Sequence, residues 1–540
     1  MSDALANRVL RRQTAFEGER SPHEALWREC FDHGLPERSR LFWDIASATG
    51  ANDSQAKRAV LVDSTATEAS KTLASGLVGG MVPSNSQWFD MDTGQVDQVE
   101  ENDWLSETSR FIWSAIHASN FDAFALEVFL DAIYAGWFVL YVEEAEEGGY
   151  SFDWWPVGQC WIAASKLGGD VDTVYRKFSR TIEQMASEYG IENCSPKVQE
   201  KFARGDDALS EKVEMIHVIE PRENFRDGSP FAKDMPFASL HVEANNKHIC
   251  RESGYAEFPC AVPRWRLTPG SVYPYGPFVD VLPDVKTLNR LGMAEIQAAE
   301  LAIMGMWKAR DDGVLNPRSV RLGVRKIVAV ADMENLQRLD TAAGRGAQQS
   351  WTVKQDLQRQ IRTALLADYL QPQDKPQMTA YEVHVRVQMI RQLLGPHFGR
   401  FQSEFLQRLI KRCFGIAMRA GVLGEPPNGL DFYTVQYKSP LARAQQAEDA
   451  EATMAYMQYL TDLAANRQDP TVLDIVDNDK ANRHIATGKG VPTDILREPD
   501  EILELRNLKA QQQAEQAQQE QQQQMQMMAA EGAAKQLAGA

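Results

Sequence analysis

The sequence predicts an α+β protein that is predominantly α-helical. Apolar residues recur at three- to five-residue spacing up to about residue 135 and again from Val281 onward, while over 137–265 the period drops to about 2. The composition, 44% hydrophobic and 24% charged, is that of a chain with packed cores and excludes disorder throughout. With 540 residues, roughly three to four domains are expected at about 150 residues each.

Residues 1–80 read as helices. Leu5, Val9 and Leu10 begin an apolar face, and Leu26, Phe31, Leu41, Phe42 and Ile45 continue it after Pro22. An alanine-rich stretch from Asp63 to Leu77 ends at Gly79, Gly80 and Pro83, a stop. Trp104, Ile112, Ile116, Phe121, Phe124, Val128, Phe129 and Ile133 then outline a helical pair closed by Gly136. Strands are expected at 137–142, 150–154, 159–163, 173–178, 213–219 and 237–242, with a short helix at 181–190.

From Val281 the pattern is helical and poor in breakers. Val281, Val285, Leu288 and Leu291 line one side, and Gly292, Ala294, Ala298, Ala299 and Ala302 offer small side chains against which another helix packs closely. Short strands are expected at 320–322 and 327–330, and Val353, Leu357, Ile361 and Leu365 mark a second helix. A polar link follows, made of Gln371, Pro372, Gln373, Asp374, Lys375, Pro376 and Gln377. Thr379 and Glu382 then form a capping box for a helix expected to run to Gly421, kinked at Gly395 and Pro396. Residues 430–437 are strand-like, 441–465 and 471–485 helical, and the Gln/Ala-rich tail lacks the apolar anchors of a core.

The chemistry of an enzyme is not visible. No phosphate-cradling GxxxxGK[ST] loop, HExxH or G-x-S-x-G occurs, and Gly488-Lys489-Gly490 is too short a likeness to the first. Cys30, Cys160, Cys194, Cys250, Cys260 and Cys413 lack short repeated spacings and read as reduced, mostly buried thiols. His241 and His248, with Glu243 between them, read as an ordinary surface strand and turn. Asp311 and Asp312 read as a solvated turn, and Glu100–Asp103 and Glu143–Glu147 as hydrophilic loops. Trp154 and Trp155 suit a core or interface better than a base-stacking platform, because no basic stripe accompanies them. No cofactor or metal is expected. No run of 18 apolar residues is present, so no membrane-spanning segment is expected. The net charge of −18 argues against a tight grip on nucleic acid.

Two long helices around an insert, a short proline-containing link and a long kinked helix occur in an order that resembles the portal, or head-to-tail connector, proteins of T7-like short-tailed bacteriophages. The likeness rests on Met378-Thr379-Ala380-Tyr381-Glu382-Val383 with Arg386 and Leu394-Gly395-Pro396, continuing through Phe401, Glu404, Arg412, Gly421 and Pro426-Pro427. It extends to Tyr273-Pro274-Tyr275-Gly276-Pro277, Val285–Asn289, Asp311–Val314, Ser439–Gln445 and Gly490-Val491-Pro492 with Leu496-Arg497. Met304-Gly305-Met306 stands where the family pattern has proline, which blurs the start of the insert, and Gln388 where an acidic residue is common.

The resemblance implies a non-enzymatic virion protein, assembled in the host cytoplasm as a homododecameric ring at a unique capsid vertex. Double-stranded DNA is packaged through that ring and later ejected. It divides the chain into a wing (1–280), a first stem helix (281–304), a clip (305–349) and a second stem helix (350–370). A channel loop (371–378), a long kinked helix returning to the wing (379–438) and a crown with the tail (439–540) complete the chain. Partners implied are the terminase large subunit, the tail adaptor, major capsid and scaffolding proteins, internal core proteins and, transiently and without sequence preference, DNA. Gly292, Ala294, Ala298 and Ala302 become stem-packing positions, and Lys375 a weak phosphate contact in the channel. The competing reading is another ring- or shell-forming virion protein, such as a capsid subunit; a nuclease or packaging ATPase would need the absent phosphate or metal motif.

Overall fold

The computed structural model describes residues 2–39, 42, 57–94, 98–166, 168–226, 229, 231–304, 306–309, 336–339, 347–370, 395, 399–427, 433–437, 440–467, 475–488, 502, 505–506, 508–509 and 511. The chain forms two units, Met1–Ser439 and Pro440–Ala540.

Helix α1 (Ser2–Gly34) runs unbroken through Pro22. A proline inside a helix forfeits one hydrogen bond, but the residues on either side of it are fixed by packing. Arg20 is fully buried and donates from Nη1 to the Cys160 carbonyl at 2.6 Å and from Nη2 to that of Gly158 at 3.0 Å. Trp27, also fully buried, packs against Trp137 and Tyr273. Tertiary contacts therefore hold the helix together across its weak point.

After α2 (Thr65–Met81) and β1 (Phe89–Asp92) come α3 (Val99–Ala118) and α4 (Phe121–Ala135). The sequence places Glu100–Asp103 in a loop; the structure puts Glu100 and Glu101 in the first turn of α3. Carboxylates there face the unpaired N–H groups and the positive end of the helix dipole. Helix α4 is buried along Val128–Ala135 and ends at Gly136, whose φ of 91° is the left-handed conformation glycine adopts without cost. A Cβ on Gly136 would lie 2.5 Å from the Tyr275 carbonyl carbon, and one on Gly276 would lie 2.3 Å from the Ile133 oxygen. The backbone therefore touches backbone where α4 meets the approach to the next long helix.

Strands β2 (Val139–Glu144) and β3 (Tyr150–Trp155) with β9 (Cys260–Ala261) make a three-stranded sheet in the order β3-β2-β9. A five-stranded antiparallel sheet follows in chain order: β4 (Cys160–Ala163), β5 (Thr173–Thr181), β6 (Lys212–Pro221), β7 (Phe237–Glu243) and β8 (His248–Tyr255). Central β6 shows why the period is 2. Ile216 and Val218 face Val9 and Phe16 of α1, while Val213 and Met215 face Ile182, Met185 and Val198 of α5 (Ile182–Tyr189) and α6 (Pro196–Ala203). Beneath α1, buried Glu220 accepts from Arg8 Nη2 at 2.5 Å, Arg12 Nη1 at 2.6 Å and the Tyr175 hydroxyl at 2.7 Å. Strand β8, an edge carrying exposed Arg251 and Glu252, was not expected from sequence. Charged edges blunt the apolar alternation that marks a strand.

Helix α7 (Pro277–Met304), the hairpin strands β10 (Met306–Ala309) and β11 (Leu336–Leu339), and α8 (Ala347–Ala364) come next. The expected strands 320–322 and 327–330 lie outside the described residues; the pair that is described is β10 with β11. A π-helical turn at Gln402–Leu406 leads into α9 (Gln407–Arg419), and β12 (Thr434–Tyr437) returns to pair antiparallel with β1.

In the second unit, α10 (Pro440–Arg467) precedes α11 (Asn478–Gly488). Of the expected helix 471–485, residues 471–474 lie outside the described residues; the described helix begins at 478, where Asp477 Oδ1 accepts from the backbone N–H groups of Asp479 and Lys480 and so caps it. Arg506 clasps Asp479 through two bonds of 2.8 Å.

Candidate functional site

The helix pair α7 and α8 is the feature of the first unit that most needs explaining, because its burial changes along its length. Near the start of α7, Phe278, Val281, Leu282, Val285 and Leu288 are core residues; further on Met293, Ala294, Ile296 and Ala299 are exposed. On α8 the sense is opposite. Trp351 and Val353 are 59% and 50% exposed, whereas Ile361, and Leu365 just past the helix end, are fully buried. Of the residues whose four-residue recurrence marks this helix, Val353 therefore lies at the surface and Ile361 in the core. At 1.5 Å per residue α7 is about 42 Å long, and in its later part Met293 and Ile296 face solvent.

The segment 61–64 ties the pair together. Asn289 Oδ1 accepts from the N–H of Val62 at 3.0 Å and of Asp63 at 3.2 Å, while Asp63 Oδ2 accepts from Gln358 Nε2 at 2.8 Å. Glu295 adds a direct link, accepting from Ser350 Oγ at 2.7 Å and Lys354 Nζ at 3.4 Å. Gly292, expected to admit a neighbouring helix, is buried, and a Cβ there would lie 2.9 Å from Val62 Cγ1 of the same chain. Ala294 is exposed and Ala298 half-buried, whereas the side chain of Ala302 lies outside the described residues. The three described positions therefore do not act alike: Gly292 closes the protomer, Ala294 is left open by it and Ala298 is partly covered.

Sequence patterning gives no sign of how the later helix is anchored. The π-helical turn aims Glu404 inward, where both of its oxygens accept from Arg264: Nη2 at 2.8 Å, the backbone N at 2.9 Å and Nε at 3.1 Å, with both side chains buried. Along α9, Arg408 donates to the Val171 carbonyl and Arg412 to that of Val142, and Arg412 and Arg419 both grip Glu257. Burial would raise the Glu257 carboxyl, but Arg419 and Arg412 outweigh it and hold the group below the usual glutamate range. These pairs span 140 to 270 residues of sequence, so local spacing carries no sign of them.

Other expected positions fall as follows. The link 371–378 and Pro396 lie outside the described residues, as do Asp311 and Asp312; Gly395 is described and helical. Trp155 is buried and stacks on Tyr141 with ring centroids 4.7 Å apart, and Trp154 donates to buried Asp131, so both serve the core. All six cysteines are free and buried. His241 is not on a surface strand: β7 is flanked on both sides, and its ring stacks on buried His217 at 4.0 Å. No helix among the described residues is long and apolar enough to cross a membrane.

The fold is a mixed, mainly helical α+β body whose long helix pair presents apolar side chains to solvent. Residues 6–496 match the family described as bacteriophage head to tail connecting protein, and the chain belongs to that family. It is 28% identical to the probable portal protein of Bordetella phage BPP-1, over 94% of this chain and 91% of that protein. It is 25% identical to the portal protein of Salmonella phage epsilon15, over 95% and 92%. A solved structure titled "Neck of empty GTA particle computed with C6 symmetry" is similar at 10% identity and a TM-score of 0.31, covering 71% of this chain and 84% of that one. The chain is thus a phage virion component of the portal, or head-tail connector, type.

Proposed function

We propose that this protein is the portal subunit of a short-tailed, T7-like phage. Twelve copies form a ring at one capsid vertex, through which the terminase packages double-stranded DNA and to which the tail adaptor attaches. The observation that carries the reading is collinearity: two portal proteins align with more than nine-tenths of this chain and of their own length. A match of that extent leaves little room for a different architecture or a grafted catalytic domain.

The helix pair supports the ring. Met293, Ile296, Trp351 and Val353 are exposed in the protomer, and an apolar surface of this kind is covered in an assembly. In this reading α7 and α8 are the stem, 305–349 the clip, 371–378 the channel loop and 439–540 the crown. The remainder forms the wing, and capsid, scaffolding and internal core proteins surround it. The net charge of −18 suits a conduit, since few phosphates are neutralised and DNA slides instead of binding. The protein has no catalytic role in this account.

Negative-stain images and multi-angle light scattering of the purified chain test it. Rings with a central hole and a mass of about twelve chains are expected. Closed shells would favour a capsid subunit, and a monomer at high concentration would overturn the reading.

A further inference from the structure

Three ligand-type side chains converge far from the helix pair, at the edge of the five-stranded sheet. A sulfur of Cys194, a carboxylate oxygen of Glu243 and the sulfur of Cys250 lie within 4.8 Å of one another, and all three residues are buried. They come from different elements. Cys194 follows the single turn Ile191–Asn193 and precedes α6, Glu243 ends β7, and Cys250 lies in β8. Strand pairing sets His241 opposite Arg251 and Val242 opposite Ile249, so Cys250 is the extra residue of a β-bulge. Bulges re-aim side chains, and this one turns Cys250 toward Met215 and Cys194.

The carboxylate is held from outside the cluster. Ser195 donates from its backbone N to Oε1 at 2.8 Å and from Oγ to Oε2 at 2.5 Å, and Asn246 Nδ2 donates to Oε2 at 2.7 Å. Outer donors of this kind fix ligating carboxylates in proteins. On its inner side Oε1 has Cys250 Sγ at 3.2 Å, so a thiol proton occupies the place where a cation would sit. We propose that Cys194, Glu243 and Cys250 bind a thiophilic divalent cation of the zinc type, with water in the fourth position.

The exchange balances without oxidation: the cation replaces one proton on each thiol, both protons pass to solvent, and the Ser195 and Asn246 bonds persist. Sulfur donors favour zinc-type ions over calcium or magnesium. The cation binds both sulfurs as thiolates, so protons compete with it and metal is lost as the pH falls. The bound ion clasps the helical segment carrying α5 and α6 to the β7–β8 hairpin. Sequence spacing hid the cluster, because its members stand 49 and 7 residues apart.

The full chain is purified without chelator from zinc-supplemented medium, and its metal is counted by plasma mass spectrometry. About one zinc per chain is expected, with most of it lost in Glu243→Gln and Cys250→Ser. Cys30→Ala, which removes a buried thiol elsewhere, should keep it and so controls for loss of a packed sulfur. Chelator should lower the melting temperature of the wild type, and zinc chloride should restore it in the wild type but not in Cys250→Ser. Metal-free wild-type protein whose melting is indifferent to zinc chloride would overturn the proposal, as would zinc retained in both variants. A Cys194–Cys250 disulfide in protein isolated without air would overturn it as well.

Discussion

Glu404 accepts three bonds from Arg264 in the protein interior, so removing one partner leaves the other charge buried and uncompensated. Glu404→Gln should destabilise the first unit by about 3–5 kcal/mol; an unchanged urea midpoint would mean that water reaches the arginine. His241 provides a pH test. Burial, then the charges of Arg251, Arg180 and Arg176, hold its imidazole at about 3, below the ordinary 6.5, so between those values the unfolded chain takes up a proton that the native one does not. Its contribution is therefore neutral above pH 6.5 and increasingly destabilising below, by up to about 1.4 kcal/mol per pH unit. Buried His217 is lowered in the same direction by burial and by His241. His241→Gln, which can still meet the Tyr189 hydroxyl, should flatten the loss of stability from pH 6.5 to 4; parallel curves would contradict this. None of these partnerships was legible beforehand. Residue types and spacings say which side chains need partners, whereas partners 24 to 140 residues apart are chosen by topology.

At the scale of elements, the small-residue run of α7 divides into positions with different consequences. Gly292→Val drives a side chain into Val62 of the same chain and should cost the protomer about 1–3 kcal/mol. Ala298→Phe sits at a half-buried position and should leave protomer melting nearly unchanged while reducing ring mass in light scattering. Equal effects of both changes on melting would place Ala298 inside the protomer's own packing. Most helices and strands were readable because their periods of 3.6 and 2 follow directly from which face is buried. The exceptions have separate causes. Charged residues at the β8 edge hide its alternation, and the pairing of β1 with β12 joins segments more than 340 residues apart whose short sequences carry no register signal.

For the whole molecule, motif order conveyed the family where no single motif was specific. The sharpest test concerns the polar link. Replacing 372–376 with a Gly/Ser linker should preserve ring mass and prohead assembly but reduce DNase-protected genome per prohead, and Lys375→Ala alone should do much less. Wild-type protection in the linker variant would reject a functional loop, and failure to form rings would assign the segment to subunit packing.

The π-helical turn at Gln402–Leu406 has a historical reading. Such a turn holds one residue more than the regular helix needs, the trace that a single-codon insertion would leave. Wound into a regular helix an extra residue would rotate everything beyond it by about 100°, since 3.6 residues complete a turn; the wider π turn takes it up locally, so the turns on either side keep their faces. Glu404 lies inside that extra residue's span, facing Arg264. Deleting one residue from 402–406 would therefore return the segment to regular helix, leaving Phe401 on Phe129 and Trp265 but withdrawing the turn that aims Glu404 at Arg264. The helix stays in phase with itself on either side, and the widened turn lets Glu404 serve the arginine while the turn before it serves the aromatic core.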